Sequence, residues 1–468
     1  MKKILLLLTL ICNSIFANPI FEYKLGKHEK LQGTFTAELG NGKTLHLISI
    51  KNTDTKEFLL IPFLVDADKS VHKMNPGVSK ELFAILSYHN NGNVTTLVSY
   101  SEKSNQLQII DFDMVSGQNT ITLTPEAYRP DNIFRLDDKT VLVHFLDKSK
   151  KVETRTIFSG SNQISGSIEI PKEQQKAFKE LVAEVPQTVN QNEFVKNGSI
   201  SKRKGYLQDN HLIYTFEKDE DDFGLYDFDL ASTSGFTQTK INPEFSKETK
   251  EISNYVFGKK MLFLGVEKQD VKLKSFDLAS GKSEGNLSFA SDLNASVNSE
   301  LLTEYIKNAL KSAMKPTLTV NKTKSGNLAL RADSVDSRNY SYNYNWWYIH
   351  WHMQQMMMMQ QQQQLQLLQM QRQQQMMTRG PAQQDSDFFL LPEKSKEVKA
   401  IEFTISPDFK LATGEDELQF RNLDQGKYME KYKTTKIEEA SSGFTSNEIR
   451  VIYQDYKSKT VFIEVDML

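Results

Sequence analysis

Most of the chain alternates short apolar runs with clusters of turn-forming residues, which predicts β-strands joined by tight turns. Leu82–Tyr88 and Val94–Tyr100 flank Asn90-Asn91-Gly92-Asn93, and an Asn-Gly pair supplies the positive φ of a hairpin turn. The same pattern predicts further strand pairs at Leu107–Phe112 and Thr120–Leu123, Val141–Phe145 and Val152–Phe158, Leu212–Phe216 and Gly224–Leu230, Tyr255–Gly265 and Val271–Leu278, and Ile449–Tyr453 and Val461–Val465. The sequence therefore predicts a mostly β fold.

A short motif recurs among these strands. Asp111–Gly117 (DFDMVSG) returns as Asp227–Ser232 (DFDLAS) and as Ser275–Gly281 (SFDLASG). The last two copies are 48 residues apart and the first lies 116 residues earlier. A period of about 40–50 residues with several strands per unit is typical of propeller blades. We expect the Phe to face the core, the Asp to end a strand, and Ser-Gly to turn the chain into the outer strand.

A second pattern lies near the C-terminus. Ile405–Gly414 (ISPDFKLATG) is followed by Leu418–Phe420 and by Leu423–Lys427. It resembles WD-repeat-like and related extracytoplasmic β-propellers, in which a Ser-Pro-Asp turn precedes a strand and a second strand ends in an acidic residue and Gly. The Gly-His and Trp-Asp signatures of true WD repeats are absent, which leaves the subfamily and the blade number open. The resemblance implies an irregular β-propeller-like repeat architecture.

Two short accessory helices interrupt the β pattern. Lys172–Glu184 follows Pro171, which is acceptable at a helix start, and ends before Pro186. Leu301–Met314 places its apolar residues on one face and stops before Pro316. We expect both helices to pack against the rim or face of the β body.

The first residues predict a secretory signal. Met1-Lys2-Lys3 precedes the apolar run Ile4–Ile11, and Ile15-Phe16-Ala17 offers a cleavage site. The alternative is a lipoprotein signal acylated at Cys12, which Thr9-Leu10-Ile11 precedes instead of a small residue. We therefore predict export to the periplasm or cell surface after removal of residues 1–17. That removal takes away the only cysteine, so no disulfide or thiolate chemistry remains.

The net charge of the chain argues against two classes of binding partner. Loss of Lys2 and Lys3 moves the formal charge from −2 to −4, so no basic field favours nucleic acid or anionic lipid. No second apolar stretch approaches the roughly 20 residues of a membrane-spanning helix. The predicted organisation is a signal at 1–17, propeller-like segments at 18–338 and 385–468, and an insertion at 339–384.

The insertion combines aromatic residues with a low-complexity tract. Trp346, Trp347 and Trp351 are the chain's three tryptophans, and Met353–Met377 contains 13 Gln and 8 Met. Gln, Met and Leu favour a helix. The tract is interpreted as a low-complexity expansion of a surface loop. The alternatives are an interaction element anchored by the tryptophans, a Cu(I) site at His350, His352 and Met353, and a methionine scavenger of oxidants.

No linear catalytic motif of the metalloprotease, α/β-hydrolase, P-loop or dinucleotide-binding type occurs. The remaining histidines are scattered singly, which predicts surface or strand positions: His28, His46, His72, His89, His144 and His211. The acidic run Glu217–Gly224 does not match a calcium loop and is interpreted as a hairpin tip.

These observations favour a noncatalytic binding or scaffolding protein of the bacterial cell envelope. It would contact an envelope protein, or itself, through the insertion. The first alternative is periplasmic copper binding through His350, His352 and Met353. The second alternative is a propeller hydrolase of glycans or peptides with its site at the mouth of the propeller, since blades can bring distant carboxylates together.

Overall fold

The computed structural model describes residues 19–126, 128–189, 201–219, 222–293, 298–312, 315–334, 399–412, 428–432 and 436–468. The predicted signal at 1–17 and the insertion at 339–384 lie outside these ranges. So do the candidate interaction and copper residues, namely Trp346, Trp347, Trp351, His350, His352 and Met353.

Strands dominate the described residues. In chain order they are β1 (Phe21–Lys24), β2 (Glu29–Gly40), β3 (Lys43–Asn52), β4 (Phe58–Val65), β5 (Val71–Lys73), β6 (Gly77–Ser79), β7 (Ala84–Asn91), β8 (Val94–Ser101), β9 (Gln106–Asp113), β10 (Asn119–Pro125), β11 (Asn132–Arg135), β12 (Thr140–Leu146), β13 (Lys151–Ile157), β14 (Gln163–Glu169), β15 (Gln187–Thr188), β16 (Arg203–Gln208), β17 (His211–Asp219), β18 (Asp222–Asp229), β19 (Thr237–Ile241), β20 (Glu251–Phe257), β21 (Lys260–Val266), β22 (Val271–Asp277), β23 (Ser283–Ser288), β24 (Thr317–Lys322), β25 (Leu328–Ser334), β26 (Lys399–Ile405), β27 (Ile437–Phe444), β28 (Glu448–Asp455) and β29 (Thr460–Met467).

These strands form seven sheets, which we call blades 1 to 7. Blade 1 holds β2–β6, blade 2 β7–β10, blade 3 β11–β14, blade 4 β15–β19, blade 5 β20–β23, blade 6 β24–β26, and blade 7 β27–β29 with β1. Within each blade, neighbouring strands pair antiparallel, except for a two-residue parallel pairing of β15 with β16. In blade 1 both β5 and β6 pair with β4.

The N-terminal strand completes the last blade. β1 pairs with β29 from Phe21 opposite Ile463 to Lys24 opposite Thr460. Sequential antiparallel sheets whose last member takes a strand from the opposite end of the chain form a β-propeller-like architecture. The prediction of a mostly β, propeller-like fold is confirmed.

The hydrophobic core lies between consecutive blades. Ile48 and Ile452 pack between blades 1 and 7, and Phe134 and Phe228 between blades 3 and 4. Similar clusters join blades 1 and 2, blades 2 and 3, and blades 4 to 6. Because both faces of a middle strand are buried, β3 reads as a nearly continuous apolar run.

The recurring motif takes the predicted place in the blades. Its phenylalanines, Phe112, Phe228 and Phe276, are buried near the ends of β9, β18 and β22. Asp113 Oδ1 accepts the backbone N–H groups of Val115 and Ser116 at 2.8 and 3.0 Å. The predicted orientation of the Phe and the turn after the Asp are confirmed.

Two α-helices lie where helices were predicted. α1 (Gln175–Val182) follows a 3₁₀ turn at Lys172–Gln174, and its Phe178 packs between blades 3 and 4. α2 (Ser299–Lys311) begins after Asn298, whose side chain accepts the N–H of Glu300 at 2.9 Å. A further 3₁₀ turn spans Glu430–Tyr432. No helix of the described chain is long and apolar enough to cross a membrane.

Local differences from the predictions have clear causes. Tyr255–Gly265 is not one strand, because a turn at Gly258, with φ +56°, divides it between β20 and β21. The acidic run does form the β17–β18 hairpin, but Glu217 is paired with Lys315 instead of being solvated.

Candidate functional site at the mouth of the propeller

A cavity of about 590 Å³ opens where the first strands of blades 7, 1, 2 and 3 end. We call it the mouth cavity. It is lined by Glu38, Leu39, Gly40, Asn41, Gly42, Lys43, Asn90, Arg135, Asp137, Phe444, Thr445 and Ser446. Strand-end side chains from four blades therefore meet in one place.

Glu38 lies near the end of β2 and joins blade 1 to blade 7. Its Oε1 accepts the backbone N–H of Phe444 at 2.8 Å. A side chain at Gly443 would meet Thr36, since a Cβ there would lie 2.7 Å from the Thr36 Cγ2. Glycine at this position lets β27 approach β2 closely enough to hold the Glu38 carboxylate.

The backbone of Glu38 also joins blade 1 to blade 2. Its N–H donates to the Tyr88 hydroxyl at 3.0 Å, and its carbonyl accepts from Asn90 Nδ2 at 3.1 Å. Arg135 of blade 3 places its guanidinium 3.6 Å from the centre of the Tyr88 ring. This cation–π contact fixes a positive charge beside the cavity.

Asp137 lies at the tip of the β11–β12 turn. Its carbonyl accepts the N–H of Asn90 at 3.0 Å, which ties this turn to blade 2. At the rim, Lys43 pairs with Asp66 at 2.6 Å. The mouth cavity thus brings two carboxylic acids, Glu38 and Asp137, together with Arg135 and Lys43.

A buried histidine supports the junction of blades 2 and 3. His89 Nε2 lies 3.1 Å from the Phe158 carbonyl and Nδ1 lies 3.0 Å from Thr140 Oγ1. Because a carbonyl only accepts, Nε2 carries the proton and Nδ1 accepts from Thr140. Burial lowers the pKa of His89. The neutral ring therefore positions both blades.

A second buried histidine supports the junction of blades 7 and 1. His46 Nδ1 and Nε2 each lie 3.0 Å from a hydroxyl, on Thr36 and Thr44 respectively. Thr36 in turn contacts the Ser441 hydroxyl at 3.0 Å. Burial, with the nearby charge of Arg450, lowers the pKa of His46 to about 3.

The other histidines were expected at surface or strand positions. His144 is buried on β12, and burial lowers its pKa to about 4. The rest are partly exposed and each lies near one aspartate: His28 near Asp54, His72 near Asp66, and His211 near Asp227. No group of three or more His, Cys, Asp or Glu residues able to hold a metal occurs among the described residues.

The residues of the mouth cavity do not form a sequence motif, so sequence analysis did not single them out. Glu38, Asn90, Arg135 and Asp137 each stand at or just beyond the end of a blade's first strand. That position could have been found from the sequence only after the strands had been divided into blades.

No protein-family model matches the chain, and no curated protein matches it. Its fold is similar to the β-propeller domain of the Trilobed protease from Pyrococcus furiosus, with 9% identity and a TM-score of 0.31 over 65% of this chain and 78% of that one. A second similar structure is the acylaminoacyl peptidase of Pyrococcus horikoshii, with 10% identity and a TM-score of 0.29 over 64% of this chain and 43% of that one. A third is a Synechocystis apocarotenoid oxygenase, with 8% identity and a TM-score of 0.27 over 56% of this chain and 63% of that one.

The prediction of a noncatalytic binding or scaffolding protein is wrong as the leading interpretation. The similar structures are the propeller domain of a protease, a peptidase and an oxygenase. With TM-scores below 0.5 they carry no argument about the activity of this chain. A proposed function therefore has to be argued from the residues of the mouth cavity.

Proposed function

We propose that the protein is a propeller hydrolase that cleaves glycosidic bonds in the mouth cavity. The observation that carries the proposal is the meeting of Glu38 from blade 1 with Asp137 and Arg135 from blade 3 around one cavity. Glycoside hydrolysis typically uses two carboxyl groups, one to protonate the leaving oxygen and one to activate water. A volume of about 590 Å³ lies within the usual range of small-molecule sites.

Each of the three residues is assigned one part of the reaction. Glu38, held by the Phe444 N–H, takes a proton from water, and the water oxygen bonds to the anomeric carbon. The bond from that carbon to the leaving oxygen breaks, and Asp137 gives its proton to this oxygen. Arg135, held against Tyr88, donates hydrogen bonds that orient the sugar.

Two-carboxylate chemistry fits this cavity better than acyl transfer by serine. Ser446 lines the cavity, but a serine nucleophile needs an adjacent base. The two histidines at the blade junctions have their ring nitrogens engaged by other groups: His46 by threonine hydroxyls and His89 by Thr140 and a carbonyl.

The test is hydrolysis of a panel of 4-nitrophenyl glycosides and neutral oligosaccharides. We expect Glu38→Gln and Asp137→Asn to lower kcat/KM about 100-fold or more, the usual contribution of an acid–base group. Asp54→Asn is the matched control, because Asp54 is an exposed acid in the turn at the opposite end of blade 1.

Two results would refute the proposal. One is hydrolysis of glycosides that both carboxyl variants retain at the wild-type rate. The other is release of nitroaniline from aminoacyl substrates by protein that leaves every glycoside intact.

Export and the finer family assignment rest on sequence alone. We propose that residues 1–17 are removed on export to the periplasm or cell surface, which N-terminal sequencing of the protein from the cell envelope would test by finding Asn18 first. The resemblance of Ile405–Gly414 to WD-repeat-like propellers also stays a proposal, since part of that segment lies outside the described residues.

We propose two kinds of binding for the insertion at 339–384, one to a protein and one to a metal ion. Trp346, Trp347 and Trp351 would anchor an envelope protein or a second copy of the chain. His350, His352 and Met353 would bind Cu(I). A crosslinking pull-down with and without the insertion tests the first proposal, and Cu(I) titration of the double variant His350→Ala/His352→Ala tests the second.

A further inference from the structure

A second cavity, of about 530 Å³, lies beside the mouth cavity between blades 3 and 4. Asp137 lines both cavities, so the β11–β12 turn is the wall where they adjoin. The β16–β17 turn of blade 4 contributes Asp209 and Asn210, and Phe158 follows the end of β13. Both cavities therefore open at the same end of the blades.

Hydrogen bonds fix the wall between the cavities. The N–H of Leu136 donates to the Lys139 carbonyl at 2.8 Å, which closes the turn. Asn90 holds the Asp137 carbonyl from blade 2, and His89 holds the Phe158 carbonyl. A ligand that crosses this wall meets an ordered surface, which keeps the entropic cost of binding low.

The second cavity has the chemistry of a sugar-binding site. Carboxylate and amide groups from Asp138, Asp209 and Asn210 can exchange hydrogen bonds with hydroxyl groups. Phe158 contributes an aromatic ring, over one face of which the Lys139 ammonium lies 5.6 Å from the ring centre. The three acids Asp137, Asp138 and Asp209 outnumber the one cation, Lys139. This balance of charge disfavours an acidic polymer.

We infer that the substrate is an extended, neutral oligosaccharide that occupies both cavities at once and crosses the turn at Asp137. This inference rests on the proposed function and names its substrate class. The bond to be cleaved lies in the mouth cavity, and the sugars bound between blades 3 and 4 hold the chain in position. Binding energy from such remote units raises the rate of the chemical step.

The test compares kcat/KM for cello-, manno-, xylo- and chito-oligosaccharides of two and of six units. For the wild type we expect the hexamer value to exceed the dimer value at least about tenfold, a difference that one well-bound unit provides. Phe158→Ala and Asn210→Gly should remove most of this advantage. Glycine suits position 210 because Asn210 already has φ +71°. Leu123→Ala, at an exposed site on β10, is the control.

The outcomes separate the inference from the proposed function. Equal values for dimer and hexamer, with activity still dependent on Glu38, would overturn the inference alone. If no oligosaccharide is hydrolysed, calorimetric binding of the hexamers decides. Binding that Phe158→Ala and Asn210→Gly weaken would support the second cavity and overturn hydrolysis, whereas no binding would overturn both.

Discussion

At the scale of single residues, Glu38 has a structural role and a proposed chemical role that substitution can separate. Its Oε1 accepts the Phe444 N–H between blades 1 and 7. Glu38→Gln keeps an acceptor there and removes the charge. Glu38→Ala leaves the N–H without this partner, which costs about 1–3 kcal/mol when the site is buried.

We therefore expect Glu38→Ala, but not Glu38→Gln, to lower the free energy of unfolding by about 1 kcal/mol or more. Urea denaturation measures this, and both variants should lose hydrolysis. Equal stability of the two variants would mean that the Phe444 contact contributes nothing to the joining of the blades.

His46 predicts how stability depends on pH. Its folded-state pKa of about 3 lies below the ordinary value of about 6.5 in the unfolded chain. The unfolded state therefore binds a proton first, and this contribution is fully present above about pH 6.5 and lost as the pH falls. Between pH 8 and pH 5 the loss from one such group is about 2 kcal/mol.

The check is urea denaturation at pH 8 and pH 5 for the wild type and for His46→Gln. Glutamine can still bond the hydroxyls of Thr36 and Thr44 but does not titrate. The variant should lose less stability than the wild type on acidification. An identical loss in both proteins would remove His46 from the explanation.

At the scale of elements, the turn of the recurring motif ends the third strand of a blade. In blade 5 this turn contains Asp277, Ser280 and Gly281 and follows β22. Gly281 has φ +65°, and a Cβ there would lie 3.3 Å from the Lys240 carbonyl oxygen. Residues with side chains rarely adopt this conformation, although asparagine tolerates it better than most.

Gly281→Ala should therefore destabilise the protein by about 1 kcal/mol, and Gly281→Asn by less. The midpoint of urea unfolding distinguishes the two. If alanine is tolerated as well as asparagine, backbone conformation is not what selects glycine in this turn.

At the scale of the whole molecule, β1 joins the N-terminal part of the chain to blade 7. Phe21 projects towards blade 1, with its ring 5.0 Å from that of Phe63, whereas Glu22 on the same strand is exposed. Phe21→Ala should lower the free energy of unfolding by about 2 kcal/mol, since half-buried aromatic area is lost. Glu22→Ala, the matched control, should change it by less than about 0.5 kcal/mol.

Thermal unfolding of both variants measures the effect. A Phe21→Ala protein as stable as Glu22→Ala would mean that the Phe21 side chain contributes nothing to the packing of β1 against blade 1.

The sequence predicted the local elements well. The β7–β8 hairpin was predicted from Asn91-Gly92, and the buried face of α2 from the spacing of Leu302, Tyr305 and Ile306. The division of Tyr255–Gly265 was missed because both flanking segments are apolar and a single glycine marks the turn. Glu38 and Asp137 were missed because an isolated acid beside a turn usually means only solvent exposure.

What the sequence determined by itself was the strands, their turns and the two helices, because side-chain period and backbone preference depend on neighbouring residues. That β1 completes blade 7, and that the Glu38 carboxylate meets the backbone of Phe444, 406 residues away, depended on the packing of the folded chain. Such meetings follow from the packing of whole sheets against one another, and no local pattern encodes which strand end comes to face which.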